Sequence, residues 1–271
     1  MFHVKQLMIN GIQYEFVDEG RGKPVLLLHG FPDSKKLWYQ MMPQLIQNGY
    51  RVIAPDLRGY GNTALSDSYR IEDSAADMFT LLAQLDIART HVIGHDWGAC
   101  LGWYMAANYE PQVISFTALS VGHPSGYFRS GGLKQMMKGS YIGLFILPGV
   151  AEQVLAAGDY KALTLIAEND RMHEHWYMDL TRPGRLSSGL NWYRYNIKTI
   201  VAGIDAVNVP VMGIIGNQDP ALTSAQMKAS ANYIYASFHY HEIEGGHWLP
   251  ETHANELNRL ILPFLSNYME R

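Results

Sequence analysis

One cysteine, Cys100, stands in 271 residues. No internal disulfide framework and no cysteine-rich zinc module can therefore hold the fold. Excess charge of one sign is missing as well: Lys and Arg total 21 against 25 Asp and Glu, a formal net charge of −4. That balance offers no basic footprint to a phosphate backbone and excludes nucleic acid as the expected partner. Long apolar runs are absent; the best candidate, Ile142 to Leu147, stops at Pro148-Gly149. It is far short of the roughly 20 residues that span a bilayer, so no membrane insertion is expected. The first strand-like stretch turns at Asn10-Gly11 before a signal-peptide core could form. There is no internal repeat and no low-complexity tract. What is there is 48% hydrophobic and 17% charged, a composition that buries its own core. The expectation is a reduced, soluble, cytoplasmic protein, with an oligomeric state that one sequence does not reveal.

Strand patterns come first. Val4 to Ile9 and Ile12 to Val17 flank Asn10-Gly11, a strong hairpin signal. Pro24 to Leu28 is apolar without alternation, and similar runs recur at Val52 to Ala54, His91 to Ile93, Val113 to Leu119 and Val209 to Ile215. Continuous apolar strands are covered on both faces, as in parallel sheets. Between them Ile71, Ala75, Met78, Phe79, Leu82 and Leu85 keep the spacing of one helix face, and Trp97 to Asn108 and Glu251 to Tyr268 also read as helices. Strand alternating with helix predicts an α/β fold with a mostly parallel central sheet. The alternation fails between residues 125 and 200, where only helix-like stretches rich in Met, Tyr and Trp occur. Dividing the length by about 150 residues per domain gives almost two domains. The pattern resolves this as a core over 1–124 and 201–271 carrying an inserted helical cap over 125–200.

The chemistry concentrates at His91-Val-Ile-Gly-His-Asp-Trp-Gly-Ala99, where a buried strand meets a helix. Asp96 sits between Gly94 and Gly98 with the G-x-Nu-x-G spacing of a nucleophile elbow. The residue is Asp, and no G-x-S-x-G occurs in the chain, which excludes an ordinary serine esterase. A carboxylate nucleophile attacks saturated carbon to give an ester that water must then hydrolyse. His247, in Gly245-Gly246-His247-Trp248, is the candidate general base, and Asp219, in Gly216-Asn217-Gln218-Asp219, the acid that orients it. They follow Asp96 in the order nucleophile, acid, histidine. The oxyanion formed on ester hydrolysis would be met by the amides of Trp97 and Phe31. His29 is read as structural, and Cys100, four residues after Asp96, as packing.

Together HGFP (29–32), DLRGYG (56–61), GHDWGA (94–99), GNQD (216–219) and GGHW (245–248) resemble the α/β-hydrolase superfamily, in particular its epoxide hydrolases of the soluble type. Thr63 stands where that family usually has Ser. The resemblance implies an α/β-hydrolase fold with a cap. It also implies hydrolysis of a small apolar epoxide to a vicinal diol without cofactor or metal, and two cap tyrosines that hydrogen-bond the epoxide oxygen. LNWYR (190–194) nominates Tyr193; the stretch from Tyr141 to Glu152 nominates Tyr141, with Tyr127 as the alternative.

Two other readings compete. Haloalkane dehalogenases use the same Asp-His-Asp set but usually hold halide with an Asn after His-Gly, or with a cap Trp; Phe31 takes the first position here. A catalytically silent hydrolase fold used as a ligand-binding protein would generally have lost a member of the set. His173 and His175, two residues apart, point to different sides of a helix, so no metal site is assigned.

Overall fold

The structure, a computed structural model, describes residues 2–268, without the side chains at positions 128, 129, 131, 164 and 166. The outermost residues of the expected core, 1 and 269–271, lie outside the described residues. In chain order the elements are β1 (Val4–Ile9), β2 (Ile12–Gly20), β3 (Lys23–Leu28), α1 (Met42–Gln47), β4 (Tyr50–Pro55), α2 (Ile71–Gln84), β5 (Thr90–His95), α3 (Trp97–Asn108) and β6 (Val113–Leu119). There follow α4 (Pro124–Lys138), α5 (Tyr141–Phe145), α6 (Val150–Ile166), α7 (Asp170–Leu180), α8 (Arg185–Ala202), β7 (Val211–Gly216), α9 (Ser224–Lys228), β8 (Phe238–Ile243), α10 (Leu249–Thr252) and α11 (Ala254–Ser266).

Among the described residues the strands form one sheet in the order β1-β2-β4-β3-β5-β6-β7-β8. The hairpin forms as its Asn-Gly pair requires: Asn10 and Gly11 both take positive φ, 48° and 82°, and Ile9 pairs with Ile12. β2 runs antiparallel to β4, and from β4 to β8 every pairing is parallel. Leu26, Leu27 and Leu28 on β3 are all fully buried, as an unalternating apolar strand demands. Each such side chain contributes about 1.5–3 kcal/mol of apolar burial. α3 packs on β3, β5 and β6. Parallel strands bring their carboxyl ends to one edge, and the loops after β3, β5, β7 and β8 therefore converge there.

Between β6 and β7 the described residues form five helices, α4 to α8, and α8 runs on to Ala202; before β7, Val207 makes an isolated parallel bridge to Ile234. α4 breaks at Gly132 (φ 57°, ψ −156°) and α6 at Ala157 to Tyr160. α4 packs against α9 as well as α8, so this first inserted helix rests on both layers. One expectation needs correcting: Glu251 to Tyr268 is not one helix. The chain leaves helical geometry at His253 (φ −128°, ψ 29°), separating α10 from α11. There the His253 ring lies against Gly245 and Nδ1 meets Thr252 Oγ1 at 2.8 Å, short-range contacts that hydrophobic periodicity does not announce. No helix among the described residues is long and apolar enough to cross a membrane.

Candidate active site

Asp96 occupies the turn between β5 and α3 with φ 52° and ψ −122°. A non-glycine residue in that region costs about 1–3 kcal/mol and persists only where its surroundings enforce it. The neighbours show why small residues flank it. A Cβ on Gly98 would overlap the Leu28 carbonyl, and one on Gly94 would overlap the Gly98 carbonyl. β3, β5 and α3 thus close to backbone contact, and the Asp96 carboxylate is thrust beyond the sheet edge. One oxygen, Oδ1, accepts the Phe31 N–H at 2.8 Å. The Trp97 N–H is the first of α3 and precedes the first intrahelical bond, from Ala99 N–H to the Asp96 carbonyl at 2.9 Å. Phe31 and Trp97 therefore both present amides beside Asp96. Phe31-Pro32 is a cis peptide.

His247 follows β8 and turns its ring between two carboxylates. Its Nδ1 lies 2.7 Å from Asp219 Oδ2, and its Nε2 lies 3.8 Å from Asp96 Oδ2. The other Asp219 oxygen accepts the Ala221 and Leu222 amides at 2.8 and 2.9 Å. Burial alone would push the Asp219 carboxyl up, but the His247 charge and these donors outweigh it and hold the pKa below the usual range. Burial alone would push His247 down; Asp219 first and Asp96 second outweigh it and raise the imidazole to about 10. The two carboxylates that flank the ring thus favour its protonated form.

Tyr193 on α8 and Tyr141 on α5 reach the same place from the inserted helices. Their rings are 6.3 Å apart, and Tyr193 stands edge-on to Trp97 at 4.9 Å. Burial above all, reinforced by the Asp96 charge, keeps both hydroxyls protonated and able to donate. Two cavities meet at Asp96, Tyr141 and Tyr193. The larger, about 290 Å³, is also lined by Phe31, Phe145, Leu155, His247 and Trp248. The smaller, about 40 Å³, is also lined by Cys100, Val121, Tyr127, Ile200 and Leu222. Tyr141 borders both, whereas the alternative, Tyr127, borders only the smaller and hydrogen-bonds Gln135. Cys100 does more than pack: it lines the smaller cavity, with burial pushing its thiol up and leaving it unreactive.

The supporting residues match the sequence reading in part. His29 is structural, accepting the Leu57 amide at Nε2 at 2.9 Å. Thr63 donates to the Asp56 carbonyl at 2.7 Å and accepts the Glu15 amide at 3.0 Å. Sequence reasoning missed the groups that hold the His247 loop. His95, held neutral by burial with its pKa lowered to about 3, donates from Nε2 to the His247 carbonyl at 3.0 Å. Ser120 donates to the same carbonyl at 3.2 Å. Glu168, between α6 and α7, accepts the His247 and Trp248 amides at 2.8 and 3.3 Å. A Cβ on Gly246 would overlap that carboxylate, so the Gly245-Gly246 pair admits it. Trp176 of α7 packs at a tilt against Trp248, ring centroids 4.8 Å apart, and donates its indole N–H to Asp33 at 3.1 Å. Burial raises the Asp33 carboxyl to about 7. The adjacency of His95 to Asp96 was the one available signal; Glu168 has none, because nothing local marks an exposed-looking glutamate as a partner of a loop 79 residues away.

Residues 23–136 match the α/β-hydrolase-fold family model. An AB hydrolase superfamily protein of Bacillus subtilis is 33% identical over 95% of this chain and 96% of its own length. Epoxide hydrolase A of Mycobacterium tuberculosis is 30% identical, with 95% of each protein covered. The crystal structure of an epoxide hydrolase from Vigna radiata superposes with a TM-score of 0.83 at 25% identity, covering 98% of this chain and 99% of that one.

Proposed function

The chain belongs to the epoxide hydrolase family of the α/β-hydrolase superfamily, and on that premise we propose that it converts an epoxide and water to a vicinal diol through an ester on Asp96. One observation carries this reading. The carboxylate on the strained turn, with one oxygen held by the Phe31 amide, faces the same cavities as the Tyr141 and Tyr193 hydroxyls, with the His247 ring 3.8 Å from its other oxygen.

In the first step Asp96 Oδ2 attacks a ring carbon and the carbon–oxygen bond of the epoxide breaks. Tyr141 and Tyr193 donate hydrogen bonds to the departing oxygen, lowering the barrier where negative charge develops. The product is a hydroxyalkyl ester, so Asp96 has lost its charge. His247 then has one anionic neighbour instead of two, and the proton it held offsets the one taken up by the alkoxide. The neutral imidazole, kept in register by Asp219, removes a proton from water, whose oxygen attacks the ester carbon. Phe31 and Trp97 amides receive the oxyanion on Oδ1. The ester bond breaks, the second proton of that water passes to the departing alkoxide, and the diol leaves with the oxygen that Asp96 supplied; the carboxylate is restored with one oxygen from water, and His247 is again protonated. We propose the same division read from the sequence, a core over 1–124 and 201–271 and a cap over 125–200, with the cap carrying both tyrosines. No cofactor enters any step.

The test is a single turnover in 18O-labelled water. The first diol should be unlabelled and the label should appear in the protein. Label in the diol from the first turnover would refute a covalent ester, and halide release from haloalkanes with no diol from epoxides would favour the dehalogenase reading.

A further inference from the structure

Apart from Asp96 and His247, which take part in the proposed reaction, the larger cavity has one charged lining residue, Lys138. The remaining wall is apolar or aromatic, including Phe31, Phe145, Leu155 and Trp248. Lys138 is the last residue of α4 and half-buried. Its ammonium donates to the backbone carbonyls of Asp219 and Leu222, the latter at 3.3 Å. An ammonium has three hydrogens, and these two acceptors leave one unassigned. No carboxylate among the described residues forms an ion pair with it. That contrasts with Lys35, 2.7 Å from both Glu15 and Asp56, and Arg194, 2.8 Å from Glu152. A cation at an apolar cavity wall without a counter-ion is costly, and two carbonyl bonds would be made as well by a neutral amide side chain.

We propose that Lys138 is the anion-recognising group of the substrate site, so that the preferred epoxide carries a carboxylate. This rests on the epoxide reading above and names its substrate class. The carboxylate must lie away from Asp96, whose charge repels it, so ammonium and nucleophile grip opposite ends of one molecule. A cavity of about 290 Å³ with a largely apolar wall leaves room for an alkyl chain between the two ends. The matched substrate is therefore an aliphatic acid with the epoxide at its far end, for which an ω-epoxy heptanoate serves as the probe.

The experiment compares an ω-epoxy heptanoate with its primary amide in wild type, Lys138→Met and Lys138→Arg, reading kcat/KM for diol formation as a ratio within each protein. Taking the ratio removes any general effect of loosening the Asp219 loop. Wild type should favour the carboxylate by about tenfold or more, as a charge-assisted hydrogen bond provides. The ratio should fall to about one in Lys138→Met and survive largely in Lys138→Arg. Binding of heptanoate against heptanamide, measured by calorimetry on the same proteins, reads the anion site without the reaction. If neither epoxide yields diol but heptanoate still binds better than heptanamide and only with the cation present, the epoxide reading fails and the anion site stands. Equal binding of the two in wild type, or a preference that Lys138→Met leaves intact, would overturn the proposal.

Discussion

Esterification of Asp96 should switch His247 from a stored cation to a base, and Asp96→Asn isolates that effect. The substitution mimics the ester by replacing the carboxylate with a neutral group of the same shape. His247 Nε2 lies 3.8 Å from Asp96 Oδ2. At an effective dielectric of about 20, a unit charge at that separation stabilises the imidazolium by about 4 kcal/mol, or about three pH units; in bulk water it would be about one. Starting from about 10, the imidazole of Asp96→Asn should therefore titrate roughly one to three pH units lower. The sign is fixed: removing an anion beside a cation favours the neutral ring. Asp219 still faces Nδ1 at 2.7 Å, so the ring should stay in place and the tautomer with Nδ1–H should dominate once it deprotonates. The assay is the pH dependence of the His247 ring resonances in a protein labelled with 15N-histidine. Intact mass must show the introduced amide throughout, because deamidation would restore the carboxylate. Coincident titrations in the two proteins would mean that the Asp96 charge does not govern His247, and the proposed switch would have to be abandoned.

Two further outcomes test the cap. Tyr193→Phe removes one of two donors to the epoxide oxygen and should slow ester formation by about a hundredfold, while the decay of ester already formed changes far less; equal slowing of both phases in stopped-flow fluorescence would contradict that role. Glu168→Ala withdraws the acceptor of the His247 and Trp248 amides and should slow ester hydrolysis about tenfold, so that alkyl-enzyme accumulates in quenched samples followed by mass spectrometry. Glu168→Gln, which keeps an acceptor oxygen, should recover most of that loss, and an Ala variant indistinguishable from wild type would show that the contact positions nothing.

Cores and sites differ in how much of them local sequence can specify. The strands at Val113–Leu119 and Val4–Ile9 were readable to the residue, and the elbow at Asp96 was legible from Gly94 and Gly98 alone. In each case the determining signal is local: Val113–Leu119 is a largely apolar run without alternation, Val4–Ile9 ends at the Asn10-Gly11 turn, and the strained turn at Asp96 needs neighbours without side chains. The order Asp96, Asp219, His247 belongs to the same class, because the carboxyl ends of parallel strands must share one edge. The Glu168 contact was not legible, since its partner lies 79 residues away, and the break at His253 is a change of backbone geometry that hydrophobic periodicity does not mark.

Residue types and their spacing thus determined the sheet, the inserted helices and the strained turn that carries Asp96, as short-range sterics do not wait on packing. Only tertiary structure decided which tyrosines border both cavities beside Asp96, that Cys100 faces one of them, and that Lys138 has no carboxylate partner among the described residues. Those facts are distances between helices with no fixed offset in sequence, and they exist only once the inserted segment is packed over the sheet edge.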